Sequence, residues 1–189
     1  MAPPPIDADD VRPVPGGWLA SGTQVVVAHG HPDGAFLRHG WQSWSMVGWE
    51  RLADPPLRIR TPGLHRQADD PATEAEAGHV GSWVGAVEGD DGDGVLVGAL
   101  GVDARVHADG SSLAGVAAAP VDWFVATGDV DVALEAYARL LGERLGARMP
   151  PTQAVWCTWY SQGRDLDARR LDALVDEVAD LPVDLFLVD

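Results

Sequence analysis

Trp159, Tyr160 and Asp189 are residues whose types can stack on or hydrogen-bond to a polar ligand. An indole offers a flat apolar face, a phenol adds a hydroxyl to such a face, and an ionised carboxylate accepts several hydrogen bonds. Side chains so far apart in sequence act together only if the chain returns to the same place. The residues between them provide that return. "AVWCTWY", residues 154–160, carries apolar or aromatic residues on both alternating faces, with Val155, Cys157 and Trp159 on one and Trp156 and Tyr160 on the other. That pattern suits a strand covered on both sides. Leu171, Leu174, Val175 and Val178 then form one stripe of a helix that Asp165 or Asp167 can cap, and "PVDLFLVD" reads as a second strand.

Strand, helix and strand in this order make a βαβ unit, whose two strands run parallel with a right-handed crossover. Both strands then end at one edge. Trp159 and Tyr160 close the first strand and Asp189 the second, so the three residues converge at the carboxyl edge, where α/β sheets and barrels bind ligands.

Upstream the period differs. From about 17 to 127, short apolar runs such as "WLASGTQVVVAHG", "SWVGAVEG", "GVLVGALGVDARVHADG" and "VDWFVATG" alternate with Gly, Pro and Asp clusters, which predicts an antiparallel β-sandwich. Trp18, Trp83 and Trp123 are assigned to its core. Leu134, Tyr137, Leu141 and Leu145 recur at helical spacing between a capping Asp129 or Asp131 and a terminating Gly146, giving a linker helix within 128–151. "RMPP" breaks the chain, and the βαβ region occupies 152–189. The Pro-rich, acidic stretch 1–16 is predicted to be a flexible end.

Other chemistries are weaker. His29 and His31 in "HGHPDG" have the types of metal ligands, but Gly and Pro around them and no further ligand cluster read as a turn. "EGDDGDG" lacks the acidic residue that closes a calcium loop, since Gly101 and Val102 stand there, and reads as a hairpin. A single Cys157 forms no internal disulfide and no thiolate pair. No metal or other cofactor is called for. A formal charge of -16 disfavours nucleic acid and anionic membranes. The start carries no basic cluster leading into an apolar core, and no apolar run is long enough to span a bilayer, which together predict a cytoplasmic protein. No feature sets an oligomeric state.

Two motifs carry a resemblance. "VWCTWY" followed by "LPVDLFLVD" resembles the start of the catalytic barrel in the melibiase-like α-galactosidases of glycoside hydrolase family 36, and "HGWQSWS" at 39–45 is similar to a segment of that family's N-terminal β-sandwich. The resemblance covers the chain from about residue 17. It implies an α+β multi-domain architecture of sandwich, helical linker and the first βαβ unit of a truncated (β/α)8 barrel. It also implies retaining hydrolysis of terminal α-linked galactose from oligosaccharides.

Residue by residue, the resemblance implies that Trp159 and Tyr160 bind the galactose, that Asp189 hydrogen-bonds its hydroxyls, and that Trp41 or Trp44 walls the pocket. Sugar chemistry agrees, because a pyranose stacks its C–H face on indole and offers hydroxyls to a carboxylate. His39 stands where the family usually has Asn. Retaining glycosidases need two carboxyl groups about 5 to 5.5 Å apart. The resemblance places these on the fourth and sixth barrel strands, so the 189 residues hold binding residues and no catalytic pair. A non-catalytic carbohydrate-binding sandwich, a structural domain, a raffinose-synthase-type transglycosidase and an N-acetylgalactosaminidase are the competing readings.

Overall fold

The computed structural model describes residues 4–41, 45–57, 77–148 and 150–189. The chain divides into two units, Met1–Ala147 and Arg148–Asp189. Among the described residues no helix is long and apolar enough to cross a membrane.

The first unit contains β1 (Ile6–Val14), β2 (Gly17–Ala28), β3 (Ala35–Arg38), β4 (Gly48–Arg51), β5 (His79–Ser82), β6 (Val84–Glu88), β7 (Asp93–Ala99), β8 (Ala104–Ala108), β9 (Ser112–Asp129) and α1 (Val130–Leu145). All its strand pairs are antiparallel, in the order β1-β2-β9-β7-β6-β3-β4, while β8 joins β5 to β9. The long β9 makes this a sandwich. Its first part, Leu113–Ala117, pairs with β8, and its last part, Trp123–Asp129, pairs with β7. One strand thus serves both layers, and Val97, Ala99, Trp123 and Val125 meet Ala104, Val106, Leu113 and Ala117 in the core between them.

Trp18 and Trp123 are buried, and the Trp123 indole N–H donates to the Gly22 carbonyl at 3.0 Å. Each fully buried large side chain of this kind contributes about 1.5–3 kcal/mol. Trp83 departs from its assignment to the core: it is half-buried and lines a surface cavity.

The opposite face of the same sheet carries Leu19, Val84, Ala86, Leu96, Phe124 and Ala126, and α1 packs there through Val130, Ala133, Ala136 and Tyr137. Asp129 caps the helix by accepting from the Val132 N–H at 3.0 Å, and Gly146, at φ 62, ends it in the left-handed conformation that glycine adopts without cost. The buried stripe lies around Ala133, Ala136 and Tyr137, while Leu145 is exposed. The helix therefore belongs to the sandwich unit instead of merely leading away from it. Contact is close: a Cβ on Gly98 would stand 2.5 Å from the Tyr137 ring, and the Tyr137 hydroxyl donates to the Ala99 carbonyl at 2.7 Å. Burial pushes the Tyr137 phenol up to about 12.

The flexible end predicted for 1–16 gives way to β1, which pairs with β2 from Ile6 to Val14. Asp7, Asp9, Asp10, Arg12 and Pro13 are what a protected sheet edge looks like, because charges and proline deter a further strand from adding. The same composition reads as disorder in isolation.

The second unit holds β10 (Val155–Cys157), α2 (Trp159–Gln162), α3 (Ala168–Val178) and β11 (Leu185–Leu187). Asp167 caps α3 through the Arg170 N–H at 2.7 Å, and Leu174 and Val178 are buried. Val175, placed by the sequence on the apolar stripe, is exposed.

Candidate functional site

Strands β10 and β11 are parallel, with Val155 opposite Leu185, Trp156 opposite Phe186 and Cys157 opposite Leu187. The Trp156 and Phe186 rings stack at 4.9 Å. At the amino end, the Ala154 N–H donates to the Asp184 carboxylate at 2.9 Å. At the carboxyl end, the Thr158 N–H donates to the Leu187 carbonyl at 3.1 Å. The fully buried Thr158 hydroxyl accepts from the Asp189 N–H at 3.0 Å and lies 3.2 Å from the Asp189 carbonyl, to which it can donate. One hydroxyl thus uses both its hydrogen-bonding capacities to hold the two strand ends together.

Trp159 and Tyr160 follow directly, but they do not close the strand as the alternating pattern predicted. The chain turns helical at Thr158, whose carbonyl accepts from the Gln162 N–H at 2.8 Å, and Gly163 at φ 56 stops the turn. The aromatic pair therefore sits on the first turn after β10. Trp159 is 42% and Tyr160 91% exposed, and Asp189 is exposed as well. Nor is the sheet covered on both sides as the apolar strand suggested, since Val155, Leu185 and Leu187 are exposed. Thr158 escaped sequence reasoning. The only available signal was a hydroxyl residue interrupting an otherwise apolar strand end.

In the first unit, Trp41 is 41% exposed and lies at a cavity of about 480 Å³, lined among the described residues also by Ser82, Trp83, Asp103, Arg105 and Ala117. Trp44 lies outside the described residues. His39 Nδ1 donates to the Ser82 carbonyl at 3.1 Å and its ring tilts against Trp83 at 5.6 Å, so the imidazole supports the cavity wall. His29 serves its turn with both ring nitrogens, Nε2 donating to the Asp109 carbonyl at 2.8 Å and Nδ1 accepting from the His31 N–H at 3.0 Å.

A buried ionic cluster was also hidden from the sequence. Glu50 accepts from His79 Nδ1 at 2.9 Å and lies 3.6 Å from the Arg38 guanidinium, all three being almost fully buried. Arg38 further donates to the Leu57 carbonyl at 2.8 Å, and His79 Nε2 to that of Asp54 at 3.2 Å. The cluster ties the segment after β4 to the sandwich. Its members are scattered over β3, β4 and β5, so no local spacing announces them.

Fold and site together define a helix-backed antiparallel β-sandwich followed by a parallel βαβ unit that carries an aromatic pair and a carboxylate at its carboxyl edge. No protein-family model and no curated protein matches the chain. Among solved structures it is similar to TtGalA, an α-galactosidase from Thermus thermophilus. In the complex with p-nitrophenyl α-D-galactopyranoside the TM-score is 0.86 at 36% identity, covering 97% of this chain and 38% of that one. In the complex with stachyose the TM-score is 0.88 at 36% identity, covering 97% and 40%. The chain thus spans about two fifths of the length of the enzyme it matches.

Proposed function

We propose that this chain is the N-terminal part of a cytoplasmic retaining α-galactosidase, with the sandwich unit followed by the opening βαβ unit of a (β/α)8 barrel. The observation that carries the reading is the parallel pairing of β10 and β11, with Thr158 bonded to Asp189, because it brings the backbone of the aromatic pair and of the carboxylate to one edge. The 36% identity over 97% of the chain to an α-galactosidase supports it.

In this reading Trp159 stacks on the C–H face of the terminal galactose, and Tyr160 offers its hydroxyl and ring edge. Asp189 accepts from two sugar hydroxyls, a charge-assisted contact that orients the ring and leaves the anomeric carbon free. Asp189 is a binding residue, and the nucleophile and acid/base belong to barrel strands beyond the second. Double displacement requires both carboxyl groups on either side of one glycosidic bond. The purified 189-residue chain is accordingly expected to bind galactosides weakly and to leave p-nitrophenyl α-galactoside intact. Release of p-nitrophenol that disappears in Asp189→Asn would show the assignment of roles to be wrong.

A further inference from the structure

The chain passes from β5 to β6 through one residue, Trp83. At that corner its backbone is left-handed, at φ 65, and it is held there on both sides: its N–H donates to the Ala104 carbonyl at 2.9 Å and its carbonyl accepts from the Ala99 N–H at 2.7 Å. An L-residue in this conformation costs about 1–2 kcal/mol, which glycine would avoid. A fully buried indole would offset that cost by its own packing, but this one is only half-buried, against His39 on one side and open to the cavity on the other. Asp103, next to the Ala104 that holds Trp83, is also left-handed, at φ 60, and lines the same cavity. Strained non-glycine residues gather where a surface is held ready for a ligand.

The cavity measures about 480 Å³, the size of a small-molecule site. Two tryptophans, Trp41 and Trp83, line it together with the polar residues Ser82, Asp103 and Arg105 and the small Ala104, Ala117 and Ala118. Among the described lining residues one acid balances one base, and the formal charge of -16 on the whole chain disfavours an anion. Apolar ring faces rimmed by both kinds of hydrogen-bonding group match a neutral pyranose.

We propose that this cavity is a saccharide subsite of the sandwich in its own right, with Trp83 stacking on one neutral sugar ring and Asp103 and Arg105 bonding its hydroxyls. It rests on the galactoside reading for the identity of the sugar and not for its class.

The test is a titration of the 189-residue chain with stachyose and, separately, with an α-1,4-linked glucose tetrasaccharide, read by the indole N–H resonances and by equilibrium dialysis. Trp83→Gly removes the indole while relieving the strained backbone, so it does not threaten the fold, and Arg105→Ala provides a second probe. Stachyose binding weakened about tenfold in each, with a bound fraction persisting in Tyr160→Ala, is the expected result. Binding of both tetrasaccharides with equal strength, weakened alike by Trp83→Gly, would uphold the subsite and overturn the galactoside reading. Stachyose binding that Tyr160→Ala abolishes and Trp83→Gly leaves intact would overturn the subsite and leave the galactoside reading standing. Absence of any saccharide binding to the folded chain would overturn the subsite.

Discussion

Replacing Gly98 by alanine tests how tightly α1 is set on the sheet. The new Cβ would lie 2.5 Å from Tyr137 Cε2 and 2.7 Å from Cδ2, where ordinary contact begins near 3.4 Å. Gly98 lies in a strand paired on both sides, so the ring must yield. Moving it lengthens the 2.7 Å bond from the Tyr137 hydroxyl to the Ala99 carbonyl, since that bond fixes the ring's position. Overpacking costs about 1–3 kcal/mol. Loss of the buried hydrogen bond adds about 1 kcal/mol, so the substitution should cost about 2–4 kcal/mol in all. Tyr137→Ala alone should cost about 3–5 kcal/mol through the lost ring. In that background, however, Gly98→Ala meets no ring and breaks no hydrogen bond, so the double variant should be less destabilised than the sum, with a coupling of about 2–4 kcal/mol, the whole cost that the ring imposes. Urea unfolding followed by far-UV circular dichroism measures all four corners of the cycle. A cost for Gly98→Ala that is the same with and without the Tyr137 ring would refute the close packing of helix on sheet.

Three further outcomes follow from single sites. At Trp83 the usual preference within β structure should invert: Trp83→Gly should be about 1 kcal/mol more stable than Trp83→Ala in chemical unfolding, because only glycine is unstrained at φ 65, and an alanine variant of equal or greater stability would contradict this. Glu50→Ala should destabilise by about 3 kcal/mol or more, since it takes the carboxylate away from the buried Arg38 guanidinium and the acceptor away from His79 Nδ1, and a loss under about 1 kcal/mol in urea would remove the cluster from the account. The Ser21 hydroxyl, and after it the Arg144 guanidinium, hold the Asp122 carboxyl below its ordinary value. A depressed carboxyl stabilises the fold above its unfolded value and loses that contribution as pH falls through the folded one. Acid titration below about pH 4 should therefore show a shallower loss of stability in Asp122→Asn than in the parent, and identical acid limbs would discount the network.

The sequence revealed elements wherever a local pattern and the final packing agree. Asp129 and Gly146 mark the two ends of α1, and the apolar residues around Leu171 and Leu174 mark α3, because caps and helical spacing act over a few residues. The parallel direction of β10 and β11 was readable from the intervening helix alone. What escaped depends on partners distant in sequence. Strand β1 exists only because β2 lies beside it, and its charged, Pro-bearing edge mimics a frayed end. The ring of Tyr137 finds its place over Gly98, the Glu50 cluster assembles from three strands, and Trp83 turns a corner between layers, none of which a local window can show. The same limit applies at the carboxyl edge. Trp159 and Tyr160 continue an apolar run and so have the pattern of a strand, yet the hydroxyl of Thr158 ties the strand end to Asp189 and the chain turns there.

The most direct measurement is a galactose titration of the uniformly 15N-labelled 189-residue chain, following the backbone amide of every assigned residue. The account predicts that Thr158, Trp159, Tyr160 and Asp189 shift together with one apparent Kd, as residues gathered on one edge by two parallel strands should. Shifts confined to other residues, or an aromatic pair that responds while Asp189 does not, would contradict it.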